Sequence, residues 1–353
     1  MSAVTKLPQN SRICILRLSA IGDVCHAAAL VNRIRTTRPD IRITWIIGKI
    51  EYQLMKGLEG VEFIIYDKKT GRQGMKAIRE QFKAVRFDAL FIMQIALRAN
   101  LLSRAIRAAV RLGFDKKRSK EGHSLFINKR IAPQRHPHVL EGFMAFADAV
   151  GIPPVPTPAW ALPLSDQDYA KGLQLANERQ YAVISPAASK AERNWHADGY
   201  AAVANYLAKR GLAVILCGGP GPLDRQIGDA IIAAGAPVSH DLIGQTSLKE
   251  LAGVLASARL VIAPDTGPAH MATCVGTAVI GLYAHSNPRR TGPYNNLDNV
   301  VSAYDYHIKQ QTGKDWQQLP WGSRAKGESL MTTITPEQVY AAIDKLLPPD
   351  SIE

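Results

Sequence analysis

Leu260-Val-Ile-Ala-Pro-Asp-Thr-Gly-Pro-Ala-His270 is a short apolar run that stops at a proline, passes through Asp265, Thr266 and Gly267, and meets a second proline. The run is short enough for a buried strand. Gly267 lets backbone come close, and Pro268 suits the first turn of a helix. A strand handing over to a helix in this way leaves free amides at the helix N-terminus, where an anion such as phosphate is favoured. Asp265 and Thr266 also have the composition of a simple helix cap, so this loop by itself supports both readings.

The alternation continues on either side. Tyr181 to Ser185, Leu212 to Cys217 and Ala278 to Tyr283 read as strands, while Asp198 to Arg210, Leu223 to Ala234 and Leu248 to Ala258 read as helices. Strands alternating with helices predict a doubly wound α/β domain with a parallel sheet, in which ligands bind beyond the carboxyl ends of the strands. Two further loops at such ends have unusual content, Ser185-Pro-Ala-Ala-Ser-Lys190 and Cys217-Gly-Gly-Pro-Gly221. Three coincident loops favour a nucleotide. Neither the glycine order of a dinucleotide site nor a P-loop is present, which counts against a nicotinamide-dependent oxidoreductase and against a P-loop nucleotidase.

The first half shows the same grammar. Ile13-Cys-Ile-Leu-Arg-Leu18 predicts a strand, Ser19-Ala-Ile-Gly-Asp23 a tight loop, and the apolar positions Val24, Ala27, Ala28, Val31 and Ile34 a helix. Strands follow at 42–47, 61–66 and 89–95. Between Ile152 and Pro163 the prolines of Ile-Pro-Pro-Val-Pro-Thr-Pro-Ala-Trp-Ala-Leu-Pro forbid helix and predict a domain boundary. Domains are expected over 1–155 and 156–334, with a closing helix and tail over 335–353, Thr335 as N-cap and Pro336 in the first turn.

The chain has 353 residues, 46% of them hydrophobic, enough for two cores. Its start has no signal-peptide pattern, and its most apolar stretch, 88–97, is too short to span a bilayer. The expectation is a cytoplasmic protein. Cys14, Cys25, Cys217 and Cys274 have no paired spacing for zinc or a disulfide framework. The net charge of +13 calls for an anionic partner, and basic residues crowd the stretch from Arg98 to Arg135, where a solvated helix face is the bland alternative. No groove-reading or base-stacking motif accompanies that charge, so a nucleic-acid binder is disfavoured.

Asp23 reads two ways: as the N-cap of the first helix, or as a carboxylate able to take a proton from an attacking hydroxyl. Arg193 could clamp a diphosphate, though an arginine in such a place is more often a solvated surface residue. Asp166-Gln-Asp168 looks like a chelating pair but follows Ser165 in a capping pattern, and His136 and His138 lack a third ligand, so no metal and no cofactor is expected.

With these residues in hand, the chain resembles the ADP-heptose:lipopolysaccharide heptosyltransferases of glycosyltransferase family 9. The resemblance rests on Leu18-Ser-Ala-Ile-Gly-Asp-Val-Cys-His26, Thr246-Ser-Leu-Lys-Glu-Leu251 and Asp265-Thr-Gly-Pro-Ala-His270, in that order. It implies the GT-B fold: two Rossmann-like domains facing across a cleft, acceptor on the first, nucleotide sugar on the second, and the final helix packing back on the first. It implies inverting, metal-independent transfer of manno-heptose from ADP-heptose to the inner core of lipopolysaccharide, at a Kdo or heptose residue. Asp23 matches the general base. Ser189, Thr266 and Gly267 match diphosphate contacts and Asp265 a contact to the donor sugar, with His270 closing the same motif. Thr246 falls where adenine is enclosed, and Asp224 lies near a ribose-binding acid. Arg193 stands where lysine is common. Gln94, Arg98, Lys120 and Glu121 match acceptor-side positions, lysine at 120 replacing the usual arginine. The basic cluster then gains a partner in the anionic cytoplasmic face of the inner membrane, which implies peripheral attachment. Another nucleotide sugar as donor is the alternative within the family.

Overall fold

The computed structural model describes residues 4–348. The chain divides into two compact units, residues 1–163 and 164–353.

The first unit contains strands β1 (Arg12–Leu16), β2 (Arg42–Gly48), β3 (Val61–Tyr66), β4 (Arg86–Ile92), β5 (Arg107–Gly113) and β6 (Lys129–Arg130). Its helices are α1 (Ile21–Thr37), α2 (Lys49–Met55), α3 (Gly71–Gln81), α4 (Leu97–Ser103) and α5 (Val139–Ala149). The strands form one parallel sheet in the order β3-β2-β1-β4-β5-β6. The first strand in the chain thus lies near the centre, and strand order reverses between β1 and β4. A strand covered on both faces must be apolar throughout, and Ile13 to Leu16 are wholly buried. At the edge, β3 exposes Glu62 and Ile65.

The basic segment is not one solvated helix face. Arg107 and Arg111 belong to β5, and Lys129 and Arg130 to β6. Arg111 is half-buried and donates to the carbonyls of Phe126 (2.8 Å), Ile106 (2.9 Å) and Ser103 (3.1 Å), so its charge holds three segments together. Burial, with Arg104 nearby, lowers its pKa.

The proline run is held on the first unit by long-range hydrogen bonds, among them those of Arg33 and Trp160. Arg33, buried in α1, donates to the carbonyls of Pro153 (2.8 Å), Met144 (3.1 Å) and Ile152 (2.8 Å) and to the Asp148 carboxylate (2.6 Å). Every donor so used offsets the cost of burying a guanidinium. Trp160 Nε1 donates to the Cys25 carbonyl at 3.0 Å.

The second unit repeats the plan. Its strands are β7 (Tyr181–Ile184), β8 (Ala213–Leu216), β9 (Val238–Asp241), β10 (Leu260–Pro264), β11 (Val279–Tyr283) and β12 (Val301–Ser302). Its helices are α6 (Asp166–Glu178), α7 (Ala197–Lys209), α8 (Pro222–Ala233), α9 (Leu248–Ala256), α10 (Gly267–Cys274), α11 (Pro288–Thr291), α12 (Tyr304–Thr312) and α13 (Pro336–Leu346). The sheet is parallel in the order β12-β11-β10-β7-β8-β9, with reversal between β7 and β10. Helices α6 and α9 pack closely through glycines: a Cβ on Gly253 would sit 2.0 Å from the Asp168 carbonyl oxygen. At the start of α6, Asp168 accepts from Ser165 N at 2.8 Å and Ser165 Oγ at 2.7 Å, so its carboxylate is spent on capping.

The closing helix, expected on the first domain, lies in the second unit's own core. Val339 and Ile343 are fully buried there, Tyr340 stacks on Tyr206 with centroids 4.2 Å apart, and Asp344 pairs with Arg210. Its apolar stripe matches α7 and the edge of the sheet, which is where it is covered. Thr335 caps it, accepting from Gln338 N at 3.4 Å. Residues 349–353 lie outside the described residues.

Candidate functional site

In each unit strand order reverses between two central strands, and in sheets of this kind ligands bind beyond the carboxyl ends of the strands at such a point. The loops at these two points carry different chemistry.

In the first unit the loops after β1 and β4 meet. Gln94 accepts from Leu18 N–H at 2.8 Å, which pins the turn leading into α1. Met93 N–H donates to the Leu16 carbonyl at 3.1 Å. Helix α1 begins at Ile21 with Ala20 as N-cap, so Asp23 is in the third helical position rather than at the cap. Its carboxylate lies 3.4 Å from Ala20 N and forms an ion pair with Arg17. An acid in the first turn also suits the helix dipole. Arg17 is 11% exposed against 33% for Asp23, donates to the Met93 carbonyl at 2.5 Å, and lies over the Phe143 ring at 5.3 Å. Burial lowers the Arg17 pKa, opposed by Asp23. The arrangement presents a carboxylate whose one face is fixed by a buried cation and whose remaining surface is accessible.

The other acceptor-side positions separate. Glu121 is consumed structurally: its carboxylate accepts from Leu97 N at 2.6 Å, satisfying a first-turn amide of α4, and its carbonyl accepts from Asn100 Nδ2 at 3.1 Å. Arg98 and Lys120 are exposed beside it. Behind them, His123 is buried with Nδ1 at 2.8 Å from Asn100 Oδ1 and Nε2 accepting from Phe114 N at 3.2 Å. His138 caps α5, its Nδ1 accepting from Leu140 N at 3.1 Å.

In the second unit the loops after β7 and β10 converge on Asp265. Arg193 Nη1 donates to the Asp265 carbonyl at 3.1 Å and lies 3.4 Å from Oδ2. His270 Nε2 is 3.9 Å from Oδ1, and the Thr291 hydroxyl donates to Oδ2 at 3.4 Å. Burial would push the Asp265 carboxyl up, but His270, Arg193 and Ser286 outweigh it and hold the group below the usual carboxylate range. Asp265 is therefore an ionised anchor for a cation, not the helix cap its position suggested. Thr266 holds the N-cap position of α10 without a side-chain capping bond. Its Oγ1 and the Nε of Arg193 are buried without a hydrogen-bond partner. Gly267 and Pro268 open the helix.

The remaining positions expected on the donor side form a second group. Asp224, in the first turn of α8, accepts from Gly219 N at 2.7 Å, and Gly244 N–H donates to the Gly218 carbonyl at 3.1 Å. Gly244 has φ +72, a conformation that L side chains rarely adopt, and a Cβ there would lie 3.2 Å from the Cα of Pro220. Thr246 follows as a half-buried residue just before Ser247, the cap of α9. Ser189 is exposed on the turn after β7, where Ala188 N–H donates to Asn194 Oδ1 at 2.6 Å.

Sequence reasoning passed over Arg17, Ser286 and Thr291. The signal for Arg17 was available: a cation interrupting an apolar strand just before a glycine turn needs a partner. The other two follow β11, Ser286 in the loop and Thr291 at the end of α11, a stretch that offered no motif. Among the described residues no group of three or more His, Cys, Asp or Glu side chains is arranged to hold a metal ion.

A family model for glycosyltransferase family 9 (heptosyltransferase) matches residues 75–321. The lipopolysaccharide core heptosyltransferase OpsX of Haemophilus influenzae is 45% identical over 347 residues, which cover 98% of this chain and 99% of that protein. Among solved structures, the family 9 glycosyltransferase of Veillonella parvula superposes with a TM-score of 0.76 at 20% identity, covering 95% of this chain and 97% of that one. The E. coli heptosyltransferase WaaC with ADP-2-deoxy-2-fluoro heptose gives 0.71 at 21% identity, with 95% and 99% covered.

Proposed function

The chain belongs to glycosyltransferase family 9, as a heptosyltransferase of lipopolysaccharide core assembly, and from that premise we propose that it transfers manno-heptose from ADP-heptose to the inner core with inversion at the anomeric carbon. The observation that carries the donor half is the pair of buried, unpartnered polar groups at Arg193 Nε and Thr266 Oγ1. Buried donors left unsatisfied are costly, and their position beside the N-terminal amides of α10 suits a diphosphate. Asp265 orients the guanidinium toward it.

In the reaction, a hydroxyl of the acceptor attacks the anomeric carbon as the bond to the diphosphate oxygen breaks. Asp23 takes the hydroxyl proton, and ADP leaves with the electron pair. Arg193 and the helix amides stabilise the charge that develops on the leaving diphosphate. Arg17 holds Asp23 in place through their ion pair. The charge supplied by these groups makes a divalent ion dispensable. Asp224 and Thr246 hold the nucleoside, and Arg98 and Lys120 attract the acidic sugars of the acceptor. The enzyme works at the cytoplasmic face of the inner membrane, and among the described residues no helix is long and apolar enough to cross it.

The test is mass-spectrometric detection of product from purified protein, ADP-heptose and deacylated core acceptor, in excess chelator, with ADP and UDP as competitors. Heptosylation that persists in chelator and is blocked by ADP supports the reading. Rescue by magnesium after collapse would overturn the metal-independent part, and stronger inhibition by UDP would overturn the donor.

A further inference from the structure

Three leucines stand out from the first unit at the carboxyl end of its sheet. Leu97 and Leu101 are 55% and 42% exposed, and Leu125 is 86% exposed. Leu97 and Leu101 are four residues apart on α4 and so share a face, while Ala99 and Leu102 are fully buried on the other. The segment that carries Leu125 is tied to the foot of that face by the bonds from Leu97 N and Asn100 Nδ2 to Glu121. Leu125 N–H closes the turn on the Gly122 carbonyl at 2.9 Å.

The turn is held, not loose. Glu121 has φ +50, a left-handed conformation that a non-glycine residue keeps only where its surroundings impose it, and Gly122 follows at φ +68. Beneath it His123 is buried and bonded to Asn100 of the same helix. The fold therefore presents the Leu125 side chain outward on a pinned scaffold.

The exposed charges of these segments are mostly basic, Arg98, Arg104, Lys116, Lys117 and Lys120, against one exposed acid, Glu121. Between Leu97 and Arg130 the acids are Asp115 and Glu121. Asp115 is buried on Arg118, and Glu121 is occupied by the Leu97 amide. Isolated exposed leucines need no explanation, but three on adjoining, hydrogen-bonded segments inside a basic rim form a patch. Apolar tips with lysine and arginine around them match an anionic bilayer, where leucine enters the interface and the cations stay at phosphate level.

We propose that α4 and the 121–125 turn form a membrane-docking surface on which Leu97, Leu101 and Leu125 enter the interfacial layer of an anionic bilayer. The proposal rests on the reading above, in which the acceptor is lipid-borne, and it adds an apolar component to attachment by charge.

The experiment measures binding of the full chain to vesicles of phosphatidylglycerol and phosphatidylethanolamine. Compared with the parent, the triple variant Leu97→Ser, Leu101→Ser, Leu125→Ser should bind roughly tenfold more weakly or worse, given the transfer free energy of even partly inserted leucines. It should also lose the fraction of binding that the parent retains at high salt. A polarity-sensitive fluorophore on Leu125→Cys should shift to the blue on vesicles, while the same label on Leu173→Cys, an exposed α6 position, should not. Turnover on deacylated acceptor in solution should be unchanged in the triple variant. If parent and triple variant bind alike and both are released by salt, attachment is electrostatic alone and this proposal fails while the functional reading stands. A label at 125 that stays in water, or loss of turnover on soluble acceptor, also overturns it. Failure of the parent itself to bind anionic vesicles overturns both this surface and the peripheral reading.

Discussion

At the scale of single residues, the same side chain often carries a structural and a chemical duty, and the two are separated by substitution. Asp23 is the partner of a buried arginine, so Asp23→Asn removes the counter-charge of Arg17 and should cost about 1–2 kcal/mol, more than an exchange of helix caps would. If it is also the base, turnover should fall by ~10² to 10⁴ with donor affinity little changed. Thermal melts and initial rates, taken well below both midpoints, check the two losses independently; normal turnover in the asparagine variant would remove Asp23 from the mechanism. Arg193 makes the complementary case on the donor side. Arg193→Ala should weaken donor use by about 1.5–3 kcal/mol and Arg193→Lys should recover part of it, because an ammonium keeps the charge but not the fork. Unaltered donor kinetics in the alanine variant would show that the guanidinium does not meet the diphosphate. Asp23 and the Asp265 motif were legible in the sequence because glycine and proline flank them. The pairing of Arg193 with Asp265 was not, since only the adjacency of β7 and β10 brings residues so distant in the chain together.

At the scale of elements, His123 ties the loop after β5 to α4 by a neutral ring. Nε2 accepts from the Phe114 amide, so Nδ1 must carry the proton it shares with Asn100. Burial, aided by Arg130, pushes its pKa down to about 4. The unfolded value is near 6.5, so this contribution is complete above that pH and shrinks as pH falls toward 4, where the unfolded chain is protonated first. Between pH 7.5 and 5 the loss should be about 2 kcal/mol. Hydrogen exchange of the amides of 114–125, corrected for intrinsic rates, should show protection falling over that range in the parent and a flatter profile in His123→Gln. Equal slopes would mean that the ring is not the titrating group. Elements were readable from sequence where burial on both faces demands apolar runs, as in β1, β7 and β10. They were obscured where charge interrupts the run: β5 carries Arg107 and Arg111, and β9 is the polar edge segment Val-Ser-His-Asp. The final helix was recognised by its cap, but its place was set by Tyr340 and Asp344 finding Tyr206 and Arg210, which no local pattern encodes.

At the scale of the whole molecule, the net charge of +13 makes long-range attraction to an anionic surface dependent on ionic strength. Binding to anionic vesicles should weaken steeply as salt rises, whereas neutral vesicles should hold the protein poorly at any salt. Sedimentation with vesicles of both kinds checks this, and equal binding to both would sink the electrostatic account. The two-unit plan was foreseeable because alternating strands and helices on either side of a proline run leave few arrangements. The side on which that run rests was not, because it depends on Arg33 and Trp160, whose partners are main-chain carbonyls. Each unit is one unbroken stretch of chain, and the closing helix stays with its own half. A ribosome therefore finishes the first half before it has begun the second, and the Trp160 indole on the Cys25 carbonyl comes from the last residues of that first half. Once synthesis has run far enough past Pro163 for that half to leave the ribosome, every residue of its sheet is free to pair without waiting for the second half, so maturation can proceed vectorially, one module at a time.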